Sequence, residues 1–379
     1  MPLTIDDDEL RAWIRLSLEP DLGAARIRLL LSVFGMPQQI CEASTGNLAR
    51  YLDPGLVTRL RQPPDDTLRA AIESSLRWLA QPGHHLLTLA DPLYPQALYE
   101  LTDPPPILYA HGQLDILNRP MLAIVGARHA TPEGERNAHD FAQHLAQQGW
   151  CVVSGLASGI DGAAHAGALD AGPAGGGTVA VLGTGIDRVY PPAHRALAHR
   201  IAEHGLMLSE FPLGAQGLPF HFPQRNRIVA ALARGVLVVE AAARSGSLIT
   251  ARLAGEMGRE VFAIPGSIHS PLSHGCHALI RQGAKLVESG QDILEELRQG
   301  GLPGLTGALR PGQAADPDPE PACTQSDPLL RALGYEAVDT DTLQTRTGWP
   351  IDQLMAQLTL MEIDGAVARQ ADGRYRREP

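Results

Sequence analysis

Two periods alternate along the chain. Before residue 80 the apolar positions fall at helical spacing, as in Trp13-Ile14-x-Leu16 and Ile27-x-Leu29-Leu30-Leu31-x-Val33-Phe34, with Gly23, Gly35-Met36-Pro37 and Asp53-Pro54-Gly55 as interruptions. This predicts a small cap of short helices over residues 1–80. From about His84 to Gln299, short β-branched runs alternate with longer amphipathic stretches. That alternation predicts a parallel sheet covered by helices over residues 81–298. Leu122–Val125 reads as a strand and Gly126–Ala130 as a turn. Thr131-Pro132-Glu133 then opens a helix with an N-cap, a proline at the first position and an acidic first turn. The same grammar recurs at Cys151–Val153, Val179–Leu182, Val236–Val239 and Val261–Ile264, each followed by a glycine-bearing loop and a helix. Leu206–Leu208 leads instead into a longer loop ahead of a helix at Pro223–Leu232.

Residues 299–326 are dense in Gly, Pro and acidic residues, the composition of a flexible linker. Beyond it, over residues 327–379, Pro328–Leu333, Thr342–Thr347 and Ile351–Met361 read as three helices, followed by a hairpin from Ala366 to Arg377. That order is a winged helix-turn-helix. Its recognition helix, Ile351–Met361, carries Asp352 and no basic residue, so it is unsuited to a groove flanked by phosphates. Arg369, Arg374, Arg376 and Arg377 are the cationic residues of the wing, and a protein contact suits this module better than base readout.

The chain has 379 residues, 44% hydrophobic and 19% charged, which fits two or three globular domains. No apolar run approaches the roughly 20 residues of a membrane-spanning helix, and the acidic start lacks the features of an export signal. The expected compartment is the cytoplasm. Cys41, Cys151, Cys276 and Cys323 are scattered without a Cys-x-x-Cys, so neither a disulfide framework nor a zinc ribbon is expected. The net charge of −11 argues against indiscriminate coating of duplex DNA. Positive charge is nevertheless concentrated: between His221 and Lys285 eight basic residues face three acidic ones. Lys285 is the only lysine, and no Gly-x-x-x-x-Gly-Lys is present, so P-loop ATP hydrolysis is unsupported.

An open α/β sheet binds ligands at the carboxyl ends of its strands, beside helix N-termini that favour anions. Gly126, Gly155, Gly159, Gly183, Gly185, Gly246 and Gly266 lie in those loops, with Arg128, Arg225, Arg227 and Arg244. The dinucleotide pattern Gly-x-Gly-x-x-Gly is missing, so no NAD or other cofactor is expected. Separated phosphate-friendly loops fit a polyanion along the edge. Phe220 and Phe222 either stack on unpaired bases or belong to the core.

These motifs carry a resemblance. Gly126-Ala127-Arg128, the stretch Ser154–His165, Val181–Asp187 with Tyr190-Pro191, Phe222–Arg227, Ala243–Thr250, and Ile264–Gly266 through Gly275–Ile280 resemble, in order, the DNA processing protein A (DprA, Smf) family. The resemblance implies an extended Rossmann domain flanked by a small N-terminal SAM-like or helix-hairpin-helix-like domain and a C-terminal winged-helix domain. It further implies a non-catalytic homodimer that binds and protects incoming single-stranded DNA and loads RecA recombinase during natural transformation. Carried over by position, the DNA contacts are Gly126, Arg128, Ser158, Gly159, Phe222, Arg225, Asn226, Arg227, Arg244, Ser245, Gly246, Ser247 and Thr250. Ala127 stands where the family has a hydroxyl residue. Arg225 and Arg227 match the family's Arg-Asn-Arg motif as DNA contacts; the alternative is that one faces DNA and the other pairs with a carboxylate such as Glu210 or Glu240.

The competing class is a Rossmann enzyme resembling the nucleotide phosphoribohydrolases, whose glycine turn ends in a catalytic glutamate; here Thr250 closes that stretch. A purely structural interaction protein is the other. Ser158, Asp161 and His165 lack a nucleophile elbow, and Asp161 reads as a first-turn acid favouring the helix dipole. His269, His274 and His277 lack a completing ligand, so no metal is expected. Leu22–Leu31 resembles half of a helix-hairpin-helix, but packing is the stronger reading, because Arg26 and Arg28 alone add charge.

Overall fold

The computed structural model describes residues 6–299, 328–333, 338–363, 365–370 and 373–377. The linker expected at 299–326 lies, beyond Gln299, outside the described residues, as does Cys323. The chain divides into two compact units, Met1–Pro303 and Gly304–Pro379.

The first unit opens with six helices: α1 (Asp7–Leu18), α2 (Ala24–Phe34), α3 (Pro37–Glu42), α4 (Thr45–Leu48), α5 (Pro54–Arg61) and α6 (Asp66–Leu79). Their starts follow local chemistry. Asp53 accepts from the Leu56 N–H with Pro54 at the first helical position, and Asp65 accepts from the Leu68 N–H. Leu16, Leu22, Ile27, Leu30, Ile40 and Leu56 fill the space between these helices. Arg28 donates to the Leu101 carbonyl (2.9 Å) and Arg26 to that of Asp21 (3.0 Å), so both are engaged internally.

Nine strands follow: β1 (His84–Thr88), β2 (Ile107–Gly112), β3 (Met121–Val125), β4 (Cys151–Ser154), β5 (Thr178–Val181), β6 (Leu206–Ser209), β7 (Gly235–Val238), β8 (Glu260–Ala263) and β9 (Lys285–Leu286). They form one sheet in the order β1-β2-β6-β5-β4-β3-β7-β8-β9. The stretch from β6 to β9 is parallel, with Ala123 between Val153 and Val236; β2 runs antiparallel to β6, and β1 to β2.

Along β3, Met121, Ala123 and Val125 face one core and Leu122 and Ile124 the other, the period of two that a doubly covered strand requires. The first face is packed by α10 (His221–Leu232), α11 (Ser247–Glu256) and α12 (His274–Arg281). The second is packed by α7 (Pro132–Gln147), α8 (Ile160–Asp170) and α13 (Gly290–Gln299). A third cluster joins α9 (Arg195–His204) to Trp13 of α1, Trp78 of α6 and Tyr109 of β2, whose hydroxyl meets Ser75 Oγ at 2.9 Å. The helical region is therefore continuous with the sheet, and a boundary at residue 80 would cut through two buried indoles and a phenol. At the far edge, β9 has two residues, and Lys285 Nζ lies 2.8 Å from Glu296 Oε2.

The second unit contains α14 (Pro328–Leu333), α15 (Thr340–Thr347), α16 (Ile351–Ile363) and an antiparallel pair, β10 (Val367–Arg369) and β11 (Tyr375–Arg377). Three helices and a hairpin enclose Leu329, Leu343, Leu354, Leu358, Val367 and Tyr375, as the sequence predicts. Asp352 and Glu362 are the charged residues of α16. On the wing, Arg369 lies over the Tyr375 ring (5.8 Å) and Arg376 is buried, so these two do not project as an open cationic strip. Among the described residues no helix is long and apolar enough to cross a membrane.

Candidate nucleic-acid interface

From β3 the chain steps through β4, β5 and β6 on one side, then returns along α10 to place β7 on the other. Such a switch point opens a crevice at the carboxyl ends of the strands. A cavity of about 270 Å³ occupies it. Four segments wall it: Val125, Gly126 and Arg128 at and after the end of β3; Ala157 and Asp161 after β4; Pro219, Phe222, Pro223, Arg225 and Asn226 around the start of α10; and Ser245, Gly246, Ser247, Ile249 and Thr250 after β7.

The loops meet because glycine lets them. Gly159 has φ 71°, and a Cβ there would lie 2.3 Å from the Ala127 carbonyl oxygen, so only glycine lets the β4 loop seat under the Ala127–Arg128 turn. Ser158 is half-buried beside it, and neither residue is part of the cavity wall. Arg128 is exposed, its Cζ 5.1 Å from the centre of the Phe222 ring. Phe222 is half-buried, and its ring centre lies 5.5 Å from that of Tyr190. Phe220 is 64% exposed and Tyr190 50%. The two phenylalanines thus part company: Phe222 belongs to the wall and Phe220 stands in solvent.

The two arginines of α10 also differ. Arg225 is 4% exposed; it lines the cavity, donates Nη1 to the Val181 carbonyl (2.5 Å), and leaves Nε without a partner. Its guanidinium occupies the space a Cβ at Gly155 would need. Burial pulls it down to about 10, so it remains charged at neutral pH. Arg227, expected among the DNA contacts, is not part of this wall. Its Nη2 is ion-paired with Glu210, its Nη1 donates to the Asp103 carbonyl (2.9 Å), and its Nε lies 3.6 Å from Asp103 Oδ2. Burial pushes Glu210 up to about 7 against the pull of Arg227. The other carboxylate considered, Glu240, accepts from the N–H (2.9 Å) and hydroxyl (2.6 Å) of Thr131 at the start of α7.

Asn226 donates to the Gly246 carbonyl (3.5 Å), and Ser245 and Ser247 share a hydroxyl hydrogen bond of 2.7 Å. Thr250 is buried in the wall where the hydrolase pattern has glutamate. Arg244 is exposed in the same loop but outside the wall.

Sequence reasoning gave Asp161 only a helix-dipole role, yet it lines the cavity. It accepts from the N–H groups of Gly155 (3.1 Å) and Ala157 (3.4 Å), tying down the β4 loop. Burial raises its pKa, opposed by Arg225 and those amides. An aspartate just after a glycine-rich strand-to-helix turn was the available signal. No relay joins Ser158, Asp161 and His165: His165 is fully buried, with Nδ1 against Thr178 Oγ1 (2.7 Å). Among the described residues no group of three His, Cys, Asp or Glu side chains could hold a metal ion.

A Rossmann-like sheet with a cationic pocket at its switch point, in a chain that ends in three helices and a wing, defines a class of α/β proteins with a winged-helix appendage. Residues 85–298 match the family model of DNA recombination-mediator protein A, and residues 313–373 match that of the DprA winged helix domain. The chain belongs to the DNA processing protein A (DprA/Smf) family. It is 43% identical to protein Smf of Escherichia coli over 323 residues, 85% of each chain. To the DNA processing protein DprA of Streptococcus pneumoniae it is 51% identical over 209 residues, 55% of this chain and 73% of that one. The X-ray structure of DprA from Streptococcus pneumoniae superposes with a TM-score of 0.66 at 41% identity, covering 76% of this chain and 97% of that one. A structure of DNA processing protein A from Helicobacter pylori, which addresses that protein's single-stranded DNA binding mode, gives 0.52 at 30% identity, covering 57% and 96%.

Proposed function

We propose that this protein binds single-stranded DNA at the β3/β7 crevice without acting on it chemically. The observation that carries the reading is the Arg128–Phe222 pair at the cavity, with Tyr190 and Phe220 exposed nearby. A guanidinium for phosphate beside aromatic faces for bases is how unpaired strands are gripped without sequence preference. The single-stranded DNA binding mode described for the Helicobacter pylori relative supports the same reading. The finer proposal is a cytoplasmic homodimer that protects incoming strands and loads RecA on them. Ile268, 74% exposed, and the hollow between α11 and α12 lined by Leu248, Ile249, Val261 and Leu279 offer apolar surface for a second copy.

The test is salt-titrated binding to oligo-dT and to duplex. Affinity for oligo-dT falls with salt at a log–log slope of about −0.7 per phosphate neutralised. Arg128→Ala weakens binding and flattens the slope; unchanged binding removes Arg128 from the site. Base release from nucleoside monophosphates would move the protein to the hydrolase class. Failure to speed RecA assembly on oligo-dT would remove the loading role alone.

A further inference from the structure

Taking the β3/β7 cavity as a DNA-phosphate site, on which this inference rests, we infer that it takes a phosphomonoester, the end of a strand or a free mononucleotide, in preference to an internal phosphodiester. At about 270 Å³ the cavity falls just below the roughly 300–1,000 Å³ of drug-sized ligand sites, room for one nucleotide unit at a time. Its cations sit at two depths: Arg225 is buried and fixed to the Val181 carbonyl, whereas Arg128 is exposed. An internal phosphate must let the chain in and out again and brings one negative charge. A terminal phosphate needs a single opening and brings about −1.5 to −2 at neutral pH, with a third free oxygen.

The charge on the wall matches the second case. Against two guanidinium groups the wall holds one acid, Asp161, whose carboxylate is engaged by two backbone N–H groups. Arg225 Nε–H is buried without a protein acceptor, so this donor is open to an anion; Asp161 offsets one guanidinium and the other leaves the wall net positive. The hydroxyls of Ser245 and Ser247 are bonded to each other at 2.7 Å, which spends one of their two protons and leaves the other as a further donor on the wall.

The experiment is competition against a labelled long oligo-dT bound to the full chain, with dTMP, thymidine, and dT hexamers carrying a 5′-phosphate, a 3′-phosphate or neither. The expected result is that dTMP displaces the label and thymidine does not. One phosphorylated hexamer competes roughly tenfold better than the bare one, the worth of one charge-assisted hydrogen bond. The 5′ and 3′ arms identify the end, and displacement by dTMP with equal hexamers assigns the site to a free mononucleotide. Equal competition by all hexamers, with dTMP no better than thymidine, overturns the inference while leaving single-strand binding intact. Should oligo-dT not bind at all, the parent reading falls, and calorimetry with dTMP decides the inference separately, no heat overturning it. A second handle is Gly246→Asp. A Cβ there meets nothing within 4 Å and the backbone is ordinary (φ −63°), so the fold is kept while a carboxylate enters the wall. It abolishes the preference for a terminal phosphate; a preference that survives it overturns the assignment to this cavity.

Discussion

Arg225, Asn226 and Arg227 are adjacent in sequence, yet environment gives the two arginines opposite duties. Arg227→Ala would leave Glu210 buried without its partner and costs about 3–5 kcal/mol, read as a lower urea midpoint at unchanged slope. Phe220→Ala, by contrast, changes stability by no more than about 0.5 kcal/mol, because the ring is mostly in water. It weakens oligo-dT binding by about 1–3 kcal/mol if the ring stacks on a base; unaltered affinity would place Phe220 outside the interface. His165 supplies a pH test. Burial pushes its pKa down to about 3, while in the unfolded chain the ring titrates near its ordinary 6.5. Below pH 6.5 the unfolded chain takes up the proton and the folded one does not, so stability held above 6.5 is lost progressively as pH falls toward 3. His165→Gln flattens that acid limb relative to wild type in urea midpoints from pH 7 to 4.

At the scale of elements, the β4–loop–α8 segment sets the pocket. Gly155→Ala would bring a Cβ to 1.9 Å from Arg225 Nη1, expelling the guanidinium from the Val181 carbonyl. More than about 2 kcal/mol of stability is lost with it, together with most oligo-dT affinity, as thermal and binding titrations would both report. This also shows what a sequence can disclose. Strands β3 to β8 and the cap at Thr131 are legible, because periodicity and capping are local signals. Strands β1 and β2 are not. His84-His85-Leu86-Leu87-Thr88 shows no clean alternation, and its place is fixed by β2, which pairs in turn with distant β6. That one of the two arginines could take a carboxylate is legible, since a buried arginine demands one; that it is Arg227, and that the partner is Glu210 and not Glu240, is not. Burial of Arg225 is not, because its acceptor and the glycine that admits it lie on other strands. The motif order points to loops that wall the cavity, but only geometry separates wall residues such as Asp161 from supports such as Gly159.

For the whole molecule, the packing of Trp13 and Trp78 against Tyr109 predicts that residues 81–298 alone are far less stable than 1–303, since removing the first eighty residues bares a buried aromatic cluster. Circular dichroism melts of the two fragments test this. The unit Met1–Pro303 contains the entire cavity and should keep the oligo-dT affinity and salt slope of the full chain. Residues 304–379 alone should bind DNA poorly, given the acidic α16; a strong duplex signal from that fragment would return base readout to the wing. Finally, the sheet stops at β9, two residues long, which bears the protein's single lysine in contact with Glu296. So short a margin offers a neighbour almost no ladder to extend, and its ammonium group discourages a hydrophobic newcomer. Copies approaching from that side are denied strand addition and must join through their helical flanks, an outcome that guards crowded solutions against fibre growth.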